Sequence, residues 1–325
     1  MAYTILVTGA AGFIGFHATR FLIKAGFHVI GVDNLNDYYA PKLKQARIAE
    51  LNTQPNFRFS PTDITDMAAL QAATEGVKLT HILHLAAQAG VRYSLVNPHA
   101  YVQANLVGHL NILELARHAP DLEHLVYASS SSVYGDRSGG PFKEEDTVRS
   151  PVSLYAATKL GGEMLAQSYK ALYAIPQTGL RFFTVYGPWG RPDMAYFLFT
   201  DKIMRGEPIS LFSPDEMRRD FTYIDDIAKV LPTIVRTPPA SGHEIYNLGN
   251  NSPNTLMDLV ESVEAACGRT ATKTILEKQK GDVSNTFADV SAAERDFGYK
   301  AGTPLSVGIP HFVDWYKEHW VDISA

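Results

Sequence analysis

The chain has 325 residues, 46% of them hydrophobic and 19% charged, enough apolar material for one large α/β unit or two coupled lobes. A net charge of -5 leaves no basic footprint for nucleic acid or an acidic membrane surface, and no apolar run reaches the roughly 18 residues that a membrane-spanning helix needs. The single cysteine, Cys267, excludes an internal disulfide and suits a reducing compartment, and MAYTILVTG enters a strand with no signal-length apolar core, so a cytoplasmic location is expected.

In chain order, short apolar strands alternate with helical patterns through the first half. Strands are predicted at Tyr3–Val7, His28–Val32, Phe57–Ser60, His81–Leu85, His124–Ser129 and Gln177–Phe183. Helices are predicted at Gly12–Lys24, Lys42–Leu51, from about Asp66, near Pro98–His118 and from Ser153 to Tyr173. This alternation predicts a doubly wound parallel sheet with helices on both faces. After about Tyr186 the pattern loosens into turn-rich GPWGRPD and SPDEM, with helices at Ala195–Arg205 and Thr255–Cys267 and short strands at Ile209–Phe212 and Glu244–Leu248. Residues 1–185 are read as a nucleotide-binding domain and 186–325 as a smaller C-terminal α/β substrate-binding lobe, with the chain crossing between them more than once.

VTGAAGFIG places Gly9, Gly12 and Gly15 between the first strand and the first helix. The first glycine permits the tight turn, the second a close approach to a pyrophosphate, and the third close helix–strand packing. The helix start, at Phe13 and Ile14, offers free N–H groups and the positive end of the helix dipole. VDN ends the second strand with Asp33 and Asn34, and an acid there accepts from ribose hydroxyls and repels a 2′-phosphate. The first domain is therefore expected to be Rossmann-type and to bind NAD rather than NADP. Asp63 and Ile64, after the third strand, either fix the adenine or start a helix. LAAQAG supplies Leu85, Ala86, Ala87 and Gln88, mostly small residues that let a dinucleotide pass closely. No His, Cys and carboxylate set has metal-ligand spacing.

SLYAATK puts Tyr155 and Lys159 on one helix face, four residues apart. A free tyrosine, with pKa near 10, is a poor base at neutral pH; a neighbouring ammonium lowers that value. Taken alone, such a pair is more often structural. The glycine loop, Asp33, Asn105, SSSSVYG and Tyr-x-x-x-Lys, in this order, together with RDFTYIDD and YNLGN, resemble the extended short-chain dehydrogenase/reductase family over essentially the whole chain. The resemblance implies Tyr155 as base, Lys159 as its tuner, Ser130 as a partner of the sugar hydroxyl, and Asn105 as a structural or cofactor contact.

DNLNDYY, AAQAGVRYS, GPWGRPDM and GDVSNTFADVS resemble the branch that epimerises UDP-glucuronate at carbon 4. A UDP-sugar substrate and recycled NAD are then implied. Another NDP-hexose 4-epimerase, or a non-catalytic NAD-binding sensor, are the alternatives. A 4-keto uronic acid loses carbon dioxide readily, so its carboxylate must be held by groups that add no acid. Ser131, Ser132 and Thr184 are the candidates. Sugar 4,6-dehydratases resemble this scaffold but carry Thr-Asp-Glu where this chain has Ser130, Ser131 and Ser132, and the decarboxylating relatives carry a glutamate at Ser132. Two phosphates favour arginine forks, and the resemblance points Arg191 and Arg219 at the diphosphate and Asp282 at a sugar or ribose hydroxyl. Phe212 either packs on the uracil or belongs to the core. Arg92 either senses the uronate or is an exposed loop residue. The resemblance also implies a homodimer through the helices near 98–118 and 153–173, although Leu106, Leu110 and Leu113 fit an internal core equally well.

Overall fold

The computed structural model describes residues 3–137, 139–214, 217–277 and 285–324. Ile5, Leu6 and Val7 have no exposed surface, as a strand covered on both faces requires. They form the centre of β1 (Thr4–Thr8), followed by α1 (Phe13–Lys24) and β2 (His28–Asp33). Next come α2 (Pro41–Leu51), β3 (Phe57–Pro61), α3 (Met67–Thr74) and β4 (His81–His84). The series continues with α4 (Pro98–Val102), α5 (His109–Arg117), β5 (His124–Ser130), α6 (Leu154–Tyr173) and β6 (Gln177–Phe182).

These strands form a parallel sheet in the order β3-β2-β1-β4-β5-β6, and His243–Leu248 adds a seventh strand beside β6. The order reverses between β1 and β4, which opens a crevice at the carboxyl ends of the strands. The seventh strand is grouped with the smaller lobe by its place in the sequence. It goes to this sheet because β6 is buried along its whole length and needs its outer ladder paired, and because Leu248 is itself fully buried there.

The helix expected near Pro98–His118 is broken by a wide π turn at Gln103–Gly108 between α4 and α5. Within that turn Asn105 accepts from the Gln88 N–H at 2.8 Å and donates to the Gln88 carbonyl at 3.1 Å and the Thr158 hydroxyl at 3.0 Å. The distortion thus carries a buried amide that joins the loop after β4 to α6, a common use of π turns.

The smaller lobe contains β7 (Thr184–Tyr186), α7 (Ala195–Arg205), β8 (Ile209–Phe212) and β9 (Arg218–Tyr223), with β9 paired to β7. Its core is aromatic: Tyr196 and Phe197 from α7 meet Phe312, Trp315 and Trp320 edge-on or tilted. Asp220, from the RDFTYIDD stretch, has no exposed surface and accepts from the backbone N–H of Asn250, Asn251 and Ala288 and from the Thr222 hydroxyl. That acid is a structural tie between β9 and the YNLGN end. Among the described residues no helix is long and apolar enough to cross a membrane.

Candidate active site

A cavity of about 440 Å³ opens where the strand order reverses, and it is lined from both lobes. The glycine loop forms its floor. Gly9 has φ +70°, and a Cβ there would lie 2.7 Å from the Ala86 nitrogen; a Cβ on Gly15 would lie 2.0 Å from the Gly9 carbonyl oxygen. Only glycine fits either place. Gly12 caps α1 without a side chain, so the first-turn N–H groups of Phe13 and Ile14 stay available beside the cavity.

Asp33 and Asn34 line the cavity at the end of β2. Burial pushes the Asp33 carboxyl up, and the Leu35 N–H, bonded to Oδ1 at 2.9 Å, and the Lys44 charge pull it back. Asn34 donates to Asp63 Oδ2 at 2.9 Å. Partial burial opposes ionisation of Asp63, but the bonds from Asn34 and Thr65 prevail and hold it below the ordinary carboxylate range. Asp63 therefore braces the end of β3, and the cap of α3 is Asp66 instead. Ile64, Leu85, Ala86, Ala87 and Gln88 also line the cavity, with Asn105 fixing Gln88 from behind.

At the other end stand Ser130, Tyr155 and Lys159. Burial raises the Tyr155 pKa; a hydrogen bond with Ser130 and the charge of Arg191 lower it. The Lys159 ammonium donates to the Ala128 carbonyl at 3.0 Å, one step along β5 from Ser129. Burial lowers Lys159 to about 8, against the pull of the Glu163 carboxylate. The Tyr101 ring meets the Tyr155 ring edge-on at 6.1 Å and its hydroxyl donates to the Ala89 carbonyl, so the phenol is held by a rigid wall. Ser130 also donates to the Ser132 hydroxyl at 3.1 Å.

From the smaller lobe, Arg191 reaches the same cavity. Its guanidinium is forked onto Asp193, Nε to Oδ1 at 3.0 Å and Nη2 to Oδ2 at 2.6 Å, and Tyr38 donates to the same Oδ2 at 2.9 Å. Ser131, Ser132, Thr184, Arg92, Phe212 and Arg219 do not line the cavity. Thr184 opens β7, one residue before the lining Val185. The Arg92 guanidinium lies over the Phe212 ring at 5.0 Å, and Arg219 donates to the Arg218 carbonyl at 3.0 Å. Asp282 lies outside the described residues.

Sequence reasoning missed Asn36, Tyr38, Tyr39 and Lys44, which wall the cavity beside Asp33. Lys44 donates to the Asn36 carbonyl and Oδ1, each at 2.7 Å, and sits over the Tyr39 ring at 4.6 Å. The signal was present in DNLNDYY, which begins at Asp33 and is too aromatic for an idle loop. Ser129 was also missed. Its hydroxyl donates to Glu163 Oε1 at 2.5 Å, and Arg181 forks onto Glu163 at 2.9 and 2.8 Å.

A glycine cradle, free helix-start N–H groups, an acid at the end of β2 and a tyrosine–lysine pair across the crevice define a nucleotide-dependent enzyme of the doubly wound class. The chain belongs to the NAD dependent epimerase/dehydratase family, whose model matches residues 5–249. The residues present fit that cofactor. The chain is 47% identical to UDP-glucuronate 4-epimerase 6 of Arabidopsis thaliana over 332 residues, 98% of this chain and 72% of that one. It is 45% identical to a probable UDP-glucuronate 4-epimerase of Rhizobium meliloti (strain 1021), covering 97% of each chain. The crystal structure of UDP-glucuronic acid 4-epimerase from Bacillus cereus, in complex with UDP-glucuronic acid and NAD, superposes with a TM-score of 0.89 at 35% identity, covering 97% of this chain and 99% of that one.

Proposed function

We propose that this protein is an NAD-dependent UDP-glucuronate 4-epimerase that interconverts UDP-glucuronate and UDP-galacturonate. The observation that carries the reading is the make-up of the reacting end: Tyr155 bonded to Ser130, a strand end of hydroxyls with no acid among residues 130–132, and one substrate-side guanidinium, Arg191. The relatives named above support the choice of sugar.

NAD, when bound, supplies the acceptor and then the donor of the carbon-4 hydride. Tyr155 takes the proton from the 4-hydroxyl and later returns it. Ser130 holds the phenol oxygen and the sugar hydroxyl in one hydrogen-bonded line. Arg191 favours the phenolate through its charge and faces the anionic substrate. Ser131, Ser132 and Thr184 stand just behind the cavity lining, beside Ser130 and Val185, and are assigned to hold the uronate carboxylate away from the alignment that would break its carbon–carbon bond. The resemblance further assigns Arg219 to the diphosphate, Asp282 to a sugar or ribose hydroxyl, Phe212 to the uracil and Arg92 to the uronate; Arg219, Phe212 and Arg92 stand outside the cavity lining.

Purified protein with UDP-glucuronate, followed by NMR without added reductant, is expected to yield UDP-galacturonate and no carbon dioxide. Interconversion of UDP-glucose and UDP-galactose with no turnover of the uronate would overturn the sugar assignment. Burial brings the Lys159 pKa down to about 8. Burial raises the Tyr155 pKa, and in the structure Ser130 and Arg191, and not Lys159, pull it down; the proposed tuning by Lys159 predicts that kcat falls as pH rises through about 8. Lys159→Arg, which keeps its charge, is expected to lose that limb. A wild-type profile level to pH 10 would show that the charge is dispensable.

A homodimer completes the reading. Leu95, Val96, Val107, Leu110, Met164 and Leu172 are exposed on and beside the helices spanning 98–117 and 154–173. Such an apolar face favours a second copy of the chain. A cytoplasmic location agrees with the lone, unpaired Cys267.

A further inference from the structure

Arg47, on α2, is among the largest side chains with no exposed surface, and none of the roles above uses it. Nη1 donates to the Ala11 carbonyl at 2.7 Å and the Tyr39 hydroxyl at 2.8 Å; Nη2 donates to the carbonyls of Trp189 at 2.6 Å and Gly190 at 3.1 Å. Nε has no partner. All four acceptors are neutral, and among the described residues no carboxylate forms an ion pair with it. A buried cation without a paired anion costs several kcal/mol, so packing alone is a poor reason for an arginine here.

The four acceptors are well placed for another role. Ala11 lies inside the glycine loop, Tyr39 in the wall beside Asp33, and Trp189 and Gly190 directly precede Arg191. The segment before Arg191 does not hold itself. Trp189 adopts φ +59°, a conformation costly for any residue but glycine. It is fixed from outside: His17 on α1 bonds the Pro188 carbonyl at 2.9 Å, and the Phe16 ring packs on Trp189 at 5.2 Å. Among the described residues, the Arg47 side chain bonds both this segment and the glycine loop.

We infer that Arg47 is a positioning residue that holds the phosphate-binding loop and the Arg191 segment in one register, so that cofactor and sugar meet at their reacting ends. The inference rests on the reading of Arg191 as the substrate-side cation. Epimerisation makes a strong demand of this kind, because the hydride must return to the sugar from the same cofactor it entered, and the cofactor seat must stay closed through a whole turnover.

The test uses full-length Arg47→Met, Arg47→Lys and Tyr39→Phe. Three quantities are read: the rate of NAD release on dilution, kcat and KM for UDP-glucuronate at saturating NAD, and the affinity for UDP by calorimetry. Losing charged hydrogen bonds at both loops is expected to speed NAD release and to lower kcat, each by about tenfold or more in Arg47→Met. UDP affinity, which reads the Arg191 side of the cleft, is expected to weaken in the same direction in Arg47→Met. Arg47→Lys, which keeps the charge and some of the bonds, is expected to fall between. A lowered melting temperature with wild-type NAD release and kcat would overturn the inference and leave Arg47 a fold element only. If Arg47→Met does not fold, unchanged NAD release and kcat in both Arg47→Lys and Tyr39→Phe would overturn it equally. NAD release does not depend on the sugar, so a failure of the substrate assignment would be seen separately.

Discussion

Tyr155→Phe is expected to lower kcat by roughly 10²–10⁴, about 3–5 kcal/mol of barrier, while leaving NAD content and UDP affinity unchanged. The substitution removes one oxygen and keeps the ring. That ring packs edge-on against Tyr101, and α6 is capped by the Ser153 hydroxyl on the Ala156 N–H, so neither contact is touched. What is lost is the phenol oxygen, which the Ser130 hydroxyl and the Arg191 charge favour in its ionised form. Steady-state kinetics with UDP-glucuronate, set beside the NAD content of the purified variant, check the result. A drop of less than about tenfold would mean that the 4-hydroxyl proton leaves by another route, and the role of Tyr155 as base would fall. A large drop accompanied by loss of NAD would mean instead that the phenol serves the cofactor.

The second large effect is expected on stability. Glu163 lies four residues beyond Lys159 on the same face of α6 and is almost fully buried, as is Arg181 on β6. The pair is forked, with the Ser129 hydroxyl bonded to the same carboxylate. Removing one member of such a pair leaves a buried charge with nothing to neutralise it, at a cost of about 3–5 kcal/mol. Glu163→Gln is therefore expected to destabilise the protein by that amount, a large part of the ~5–15 kcal/mol that holds a typical domain folded. Glu163→Gln with Arg181→Met removes both charges and is expected to recover most of the loss. Urea unfolding of the single and double variants decides it. A single variant within about 1 kcal/mol of wild type would show that the pair contributes little net stability. The local consequence is catalytic as well. Glu163 fixes Ser129 between Ala128, which receives the Lys159 ammonium, and Ser130, which bonds Tyr155.

The cofactor half of the site was legible because its chemistry is local in sequence. A turn that only glycine can make, a helix start that follows it and an acid at the end of the next strand all lie within Gly9–Asn34. Each is dictated by backbone sterics or by the nature of a strand end. Tyr155 and Lys159 were legible for the same reason, since helical spacing puts them on one face without any knowledge of the fold. The strands and helices of the first half, read from apolar runs, follow the same logic of period and burial.

The rest depended on residues that meet only after the chain has folded. Nothing in the spacing of Arg47 says that it reaches Ala11 and, 142 residues on, Trp189. Nor does sequence say that Tyr38 and Arg191 share the carboxylate of Asp193, or that Glu163 binds Arg181 rather than Lys159. The strand His243–Leu248 looks like part of the smaller lobe because it follows that lobe in sequence, yet the open edge of β6 captures it. The wide turn at Asn105 was hidden because a side chain bonded to both the loop after β4 and α6, and not helix propensity, sets the backbone there. By itself, then, the sequence determined the glycine turn, the acid at the end of β2 and the tyrosine–lysine pair, because backbone sterics and helical period act over a few residues. Tertiary structure alone decided which charges neutralise one another, and that Arg191 rather than Arg219 lines the cavity. Buried ions take the partners that burial leaves within reach, and those come from distant parts of the chain.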